Sequence, residues 1–259
     1  MKKMLTVVIA MLLAVGAVAC IEVRVGSADS AETEEAAGGP VAVPGELSAE
    51  EAEAGFRSLF DGESLEHWRG FRLDQVPAGW AVADGVIDFV PPTGDDAGPR
   101  ADLMTREQYR NFEFRFDWAV TPGGNSGVMF HVSEDAPASY STGPEFQILD
   151  DGGHRDGQRM ETSAASNYAL HARQGGELVP VGEFNTSALR VEGAAVTHWL
   201  NGEKVVEYTL WDDEWKELVA ASKFASMPGY GMMETGHIAL QDHGNEIWFR
   251  NLRILILPD

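Results

Sequence analysis

Residues 111–120 read NFEFRFDWAV. Phe112, Phe114, Phe116 and Trp118 alternate with Glu113, Arg115 and Asp117. Successive side chains of a strand leave on opposite faces, so this pattern places four aromatic groups on one side and the charges on the other, the mark of a half-buried antiparallel strand. The same grammar recurs outward in both directions. In THWLNGEKVVEY, residues 197–208, Asn201-Gly202 suits a type I′ hairpin turn because both residues tolerate positive φ. Trp80 to Phe89 repeats the design around Asp84-Gly85. Runs at Gly127 to Val132, Glu145 to Leu149, Ala188 to Glu192, His237 to Gln241 and Ile247 to Leu257 supply further short strands between glycine-rich turns. Strands at this spacing without long intervening helices predict an all-β, two-sheet sandwich. One accessory helix is expected over Asp212 to Lys223: Trp215, Leu218 and Val219 recur at helical spacing, and Asp212, Asp213 and Glu214 crowd the positive end of the macrodipole.

The chain has 259 residues, with 41 acidic against 19 basic side chains and a formal net charge of −22. Such a field repels phosphate backbones, which argues against nucleic acid as a partner. The single cysteine, Cys20, follows a basic start (Lys2, Lys3), an apolar run from Met4 to Ala19 and the small residues Ala17-Val18-Ala19. Residues 1–20 resemble a bacterial lipoprotein signal with Cys20 as the lipidation site; a plain signal peptide cleaved after Ala19 is the other reading. Both predict an exported protein, and the first a cell-envelope lipoprotein whose only membrane contact is its lipid anchor. From 21 to 54 the composition turns to Ala, Glu, Gly, Pro and Ser, with few large apolar groups, which reads as an acidic flexible tether. A short helix capped by Ser48 is available at its end. Residues 55–259 form the expected folded domain.

Seven segments in that domain, in order, carry a resemblance: FRSLFDGESLEHWRGF (56–71), GWAVADGVID (79–88), NFEFRFDWAVTPGGNSGVMFHV (111–132), TGPEFQILDDGGH (142–154), HWLNGEKVVEY (198–208), ASKFASMPGYG (221–231) and HIALQDHGNEIWFRNLRI (237–254). Together they resemble a domain-of-unknown-function family also called the 3-keto-disaccharide hydrolase family. The resemblance implies a concanavalin-A-like jelly-roll β-sandwich. It also implies cleavage of the glycosidic bond of 3-keto-glycosides, oxidised sugars made by a separate nicotinamide- or flavin-dependent sugar 3-dehydrogenase. A ketone at C3 acidifies the C2 proton; removing it gives an enolate, the C1 substituent departs, and water adds. That route asks for a base, an enolate stabiliser and an acid for the leaving oxygen. Because fold does not dictate function, a non-catalytic carbohydrate-binding lipoprotein and a glycoside hydrolase acting on unoxidised glucans stand as alternatives.

The candidate residues follow from face and chemistry. Glu145 and Gln147 lie two apart and share one face of their strand. Glucanases of related fold carry E-x-D-x-x-E there, whereas this frame reads Glu145-Phe-Gln147-Ile-Leu-Asp150. With the middle carboxylate replaced by an amide, the pair of carboxyl groups about 5 Å apart that double displacement needs is not assured. Glu145 is the expected acid or base, with Gln147 and Asp150 as sugar ligands. His243 and Gln241 share parity in HIALQDHG; His243 is a usable base or acid near neutrality, and Gln241 is expected to hold a hydroxyl. Lys223 either stabilises the enolate or is an ordinary charge at the helix end. His131 shares a face with Met129 and is expected to reach the same surface, and Asn125 lies in the glycine-rich PGGNSG, where a backbone can approach a sugar. Trp199 is either a stacking platform for a sugar ring or core. His131, Glu145, Asp150, His154 and His243 hold enough donors for a divalent metal, but no HxxxH, HxH or HEXXH spacing ties any pair together, so a metal would need their convergence in three dimensions; no cofactor motif is present and no cofactor is expected.

Overall fold

The computed structural model describes residues 45–94 and 98–259. Cys20, the expected signal segment and the expected tether up to residue 44 lie outside the described residues. Thirteen strands and two helices follow one another: α1 Ala49–Ala54, β1 Arg57–Ser58, β2 Trp68–Gly70, β3 Trp80–Ala83, β4 Val86–Phe89, β5 Leu103–Thr105, β6 Phe112–Val120, β7 Asn125–Val132, β8 Glu145–Leu149, β9 Asn185–Glu192, β10 Ala195–Leu200, β11 Glu203–Thr209, α2 Asp213–Ala221, β12 His237–Leu240 and β13 Ile247–Ile256. They form two antiparallel sheets, one in the order β11-β10-β9-β6-β13-β4-β3 with β1 also on β13, the other β2-β5-β12-β7-β8. The expected jelly-roll sandwich is the fold, with β1, β2 and β5 as short strands the sequence pattern did not disclose.

The aromatic row of β6 sets the core. Phe112, Phe114, Phe116 and Trp118 are all buried, and they meet Val128, Phe130, Phe146, Ile148, Ile238 and Leu240 of the opposite sheet. Phe116 and Phe146 touch across the layers edge to face, with ring centroids 5.3 Å apart. The two predicted turns have the required backbone: Asp84 and Gly85 at φ 50° and 76°, Asn201 and Gly202 at 49° and 84°. Opposite the aromatic row, Glu113 and Asp117 pair with Arg115, Arg190 and Arg250 on the outer face.

Two local structures differ from expectation or extend it. Residues 45–54, read from composition as the end of the tether, dock on the sandwich: Ser48 and Glu51 close a capping box on α1, and the buried Glu51 carboxylate takes both Arg115 and Arg253. In α2, Asp212 caps the first turn, and Trp215 stacks between Tyr208 and Tyr230 at 5.7 and 6.0 Å, fastening the helix to the edge strand β11. Strand β8 lies last in its sheet, yet both of its faces are buried. The segment 165–168 covers its free edge: Ala165 N donates to Gln147 O (2.7 Å), Gln147 N to Ser166 O (3.1 Å) and Tyr168 N to Glu145 O (3.0 Å).

Candidate active site

Phe146 and Ile148 of β8 point into the core, so Glu145 and Gln147 point out of the five-stranded sheet. There they meet Asn125 from β7, Gln241 and His243 from the segment after β12, and Lys223, Tyr140, Tyr168 and Phe224, around a cavity of about 150 Å³. Six residues expected from the sequence therefore converge: Asn125, Glu145, Gln147, Lys223, Gln241 and His243. Tyr140, Tyr168 and Phe224 were not anticipated. They come from two single helical turns and a loop, too short for periodicity to assign a face.

The carboxyl of Glu145 reaches diagonally over Gly127 of β7, which pairs with Gln147, while Glu145 itself faces Met129. A Cβ at residue 127 would overlap that carboxyl, so a glycine is required by close approach rather than by φ. Glu145 is buried, and loss of solvation pushes its carboxyl up to about 8, aided by the negative charges of Asp102 and Asp156. Lys223 and a hydrogen bond with Gln241 pull the other way. The Lys223 ammonium sits 4.3 Å over the Tyr168 ring and 5.2 Å from the centre of Phe224. Its segment is fixed by Ser222, whose hydroxyl accepts from Phe224 N, and by Phe224 stacking on Tyr230 at 3.8 Å. His243 is exposed, yet partial desolvation and the neighbouring His154 ring, 6.4 Å away, lower its pKa.

Three amide oxygens in this cavity have no partner: Asn125 Oδ1, Gln147 Oε1 and Gln241 Oε1. Gln147 is oriented by its own amide, which donates to Thr162 O at 3.3 Å. Buried acceptors left unpaired are costly, and here they converge on a space where hydroxyl donors would satisfy them.

Three expected ligands are elsewhere. His131 has φ 52°, and the pairing of β12 with β7 shifts between His237 and Ala239, which face Val132 and Met129. An extra residue on β7 thus forms a bulge. Val132 takes the outward place, and His131 turns back beside Phe112 and Phe130 with Nε2 donating to Arg110 O at 2.9 Å. Asp150 is a turn-former: its Oδ2 accepts from Gly123 N (2.7 Å) and its Oδ1 from Gly152 N and Gly153 N (3.0 Å each). Trp199 lies on the outer face of the eight-stranded sheet beside Arg115 and Arg253, neither core nor cleft. Among the described residues, Glu145 is the one carboxylate lining the cleft, and no three His, Cys, Asp or Glu side chains cluster as metal ligands would.

Comparison with known proteins agrees with this architecture. A 3-keto-disaccharide hydrolase of Bacteroides thetaiotaomicron is 33% identical over 229 residues, covering 78% of this chain and 79% of that protein. The crystal structure of a candidate glycosyl hydrolase from Parabacteroides distasonis superposes with a TM-score of 0.76 at 32% identity, over 83% of this chain and 100% of the other. A second candidate glycosyl hydrolase from that organism, 23% identical with a TM-score of 0.55 over 78% and 84% of the two chains, shares the fold. Residues 55–255, which span every cleft residue described above, match the family model, and the chain belongs to the family of 3-keto-alpha-glucoside-1,2-lyase-like domains.

Proposed function

We propose that the chain cleaves the glycosidic bond of 3-keto-glycosides by proton transfer in the cleft around Glu145. The observation that carries this reading is a desolvated carboxyl and an ammonium set among three unpaired amide oxygens. The amides and the rings of Tyr140, Tyr168 and Phe224 hold a sugar by its hydroxyls and its apolar face. Environments that push two titrating groups apart assign their roles. His243, with its pKa lowered, is neutral at pH 7 and takes the C2 proton; Glu145, with its pKa raised, keeps its proton for the leaving glycosidic oxygen. Electrons from the C2–H bond form the enolate, Lys223 faces the negative oxygen, and the C1–O bond breaks. Water then adds to C1 and a proton to C2, which makes the net reaction hydrolysis; release before hydration makes it a lyase. The family's description and the name of the Bacteroides relative support the choice of a 3-keto substrate.

Retaining hydrolysis of an unoxidised glucan has less support, because Gln147 replaces the middle carboxylate and Asp150 is spent on three backbone amides. The test is to incubate the purified protein with a 3-keto-disaccharide and with its parent disaccharide. The former alone should be consumed, with a deuterium isotope effect at C2. Turnover of both at similar rates, or binding of both without turnover, overturns the proposal. We further propose that the protein is exported and anchored through Cys20; a Cys20→Ala variant that stays in the membrane fraction would oppose this.

A further inference from the structure

Asp102 precedes β5 and does not line the cleft, yet it touches two of the segments that do. Its Oδ1 accepts from Asp242 N at 2.8 Å, and its Oδ2 accepts from the Ser139 hydroxyl. Asp242 stands between Gln241 and His243. Ser139 is fully buried and opens the single helical turn Ser139–Ser141 that presents Tyr140. The backbone of Asp102 is itself held, since Phe71 N donates to its carbonyl at 2.9 Å. Arg100 ties down the Asp242 side chain from the solvent side, with Nε to Oδ2 at 2.9 Å. Two stretches distant in sequence, each carrying cleft residues, thus close on one carboxylate.

We propose that Asp102 is a positioning residue: its carboxylate clasps the Tyr140 turn to the Gln241–His243 segment and so fixes the place of the sugar ring. This rests on the reading of the cleft as a sugar site. The clasp has an electrostatic consequence as well. Asp102 adds a negative charge near Glu145, in a field completed by Asp156 and Lys223 around Glu145 and by Asp242 beside Asp102.

The test is Asp102→Asn in the full chain, with Ser139→Ala as the partner variant. Asp102→Asn should raise KM for a 3-keto-disaccharide by about tenfold, the worth of one lost buried hydrogen bond. It should also shift the alkaline limb of the pH profile to lower pH, because a negative charge near Glu145 is gone. Amide exchange should quicken in residues 139–143 and 242–244 together. Ser139→Ala cuts one arm and keeps the charge, so KM should rise with the alkaline limb in place. An unchanged KM and unchanged exchange in Asp102→Asn overturn the proposal, as does a Ser139→Ala variant whose limb moves equally far. If the unaltered protein turns over no 3-keto-glycoside, the functional reading fails, and the exchange measurement alone still decides whether Asp102 clasps the two segments.

Discussion

Replacing Gly127 by alanine should injure catalysis far more than folding. The backbone of Gly127 is ordinary strand, with no positive φ to forbid a side chain. A Cβ there would stand 2.8 Å from both Cγ and Cδ of Glu145, and closer still to Oε1. Carbon atoms in comfortable contact are about 3.5–4.0 Å apart, so the carboxyl must retreat by roughly 1 Å. A displacement of that size costs roughly 100-fold in rate when proton transfer depends on placement. The overpacking itself costs about 1–3 kcal/mol, which leaves the fold in place. The assay is kcat/KM on a 3-keto-disaccharide, run beside a thermal melt. Glu145→Asp shortens the side chain by one methylene and vacates the contested space, so the double variant should lose less than the two single losses combined. A Gly127→Ala protein that melts earlier but works within about threefold of the parent would refute the view that the carboxyl's position over β7 matters.

Three further outcomes follow from the charges. Activity should be bell-shaped in pH, its alkaline limb near 8 from loss of the Glu145 proton and its acidic limb below the usual histidine range from His243; a rate that climbs through pH 8 would make Glu145 the base. Glu145→Gln should lower kcat by about 100-fold or more while stabilising the fold at alkaline pH. The carboxyl's folded pKa lies above its unfolded one, so its contribution is fully present below the unfolded value and lost as pH rises through about 8. The gap in melting temperature between the glutamine variant and the parent should therefore widen from pH 4.5 to pH 8, and a constant gap would contradict the burial argument. Lys223→Met should reduce kcat by roughly 100-fold if the ammonium faces the enolate, and should move the alkaline limb upward because a cation that favours ionised Glu145 has been removed.

The sandwich was legible wherever local pattern and tertiary role coincide. Phe112 to Trp118 alternate because one face is core, and Asn201-Gly202 and Asp84-Gly85 mark turns because their backbones need positive φ. The parity of Glu145 with Gln147 put that pair on one face of β8, and Gln241 and His243 reach the same cleft from the non-strand segment after β12, where parity no longer applies. Parity failed at His131 because a bulge adds a residue to β7, and a histidine at φ 52° carries no sequence mark of it. Asp150 did carry a mark: an aspartate just before Gly152-Gly153 is a turn-former by composition, and its three backbone donors make it one. Tyr140, Tyr168 and Phe224 were hidden because loop residues acquire a face only from what the chain packs against. Asp102 was hidden for a related reason, since its two partners are brought to it by the fold alone.

The covered edge of β8 governs how this cleft can breathe. Tyr168 N donates to the carbonyl of Glu145 itself, so one wall and the buried carboxyl are rungs of a single ladder. That wall cannot swing without unzipping the strand that carries Glu145. The facing side is built differently: Tyr140 and Phe224 are each borne on a single helical turn held by side-chain contacts, Ser139 on Asp102 and Phe224 on Tyr230, and, among the described residues, by no strand ladder. On the proposed function, a change of substrate size should therefore be tolerated at those two turns sooner than on the Tyr168 side, whose displacement breaks the ladder of β8.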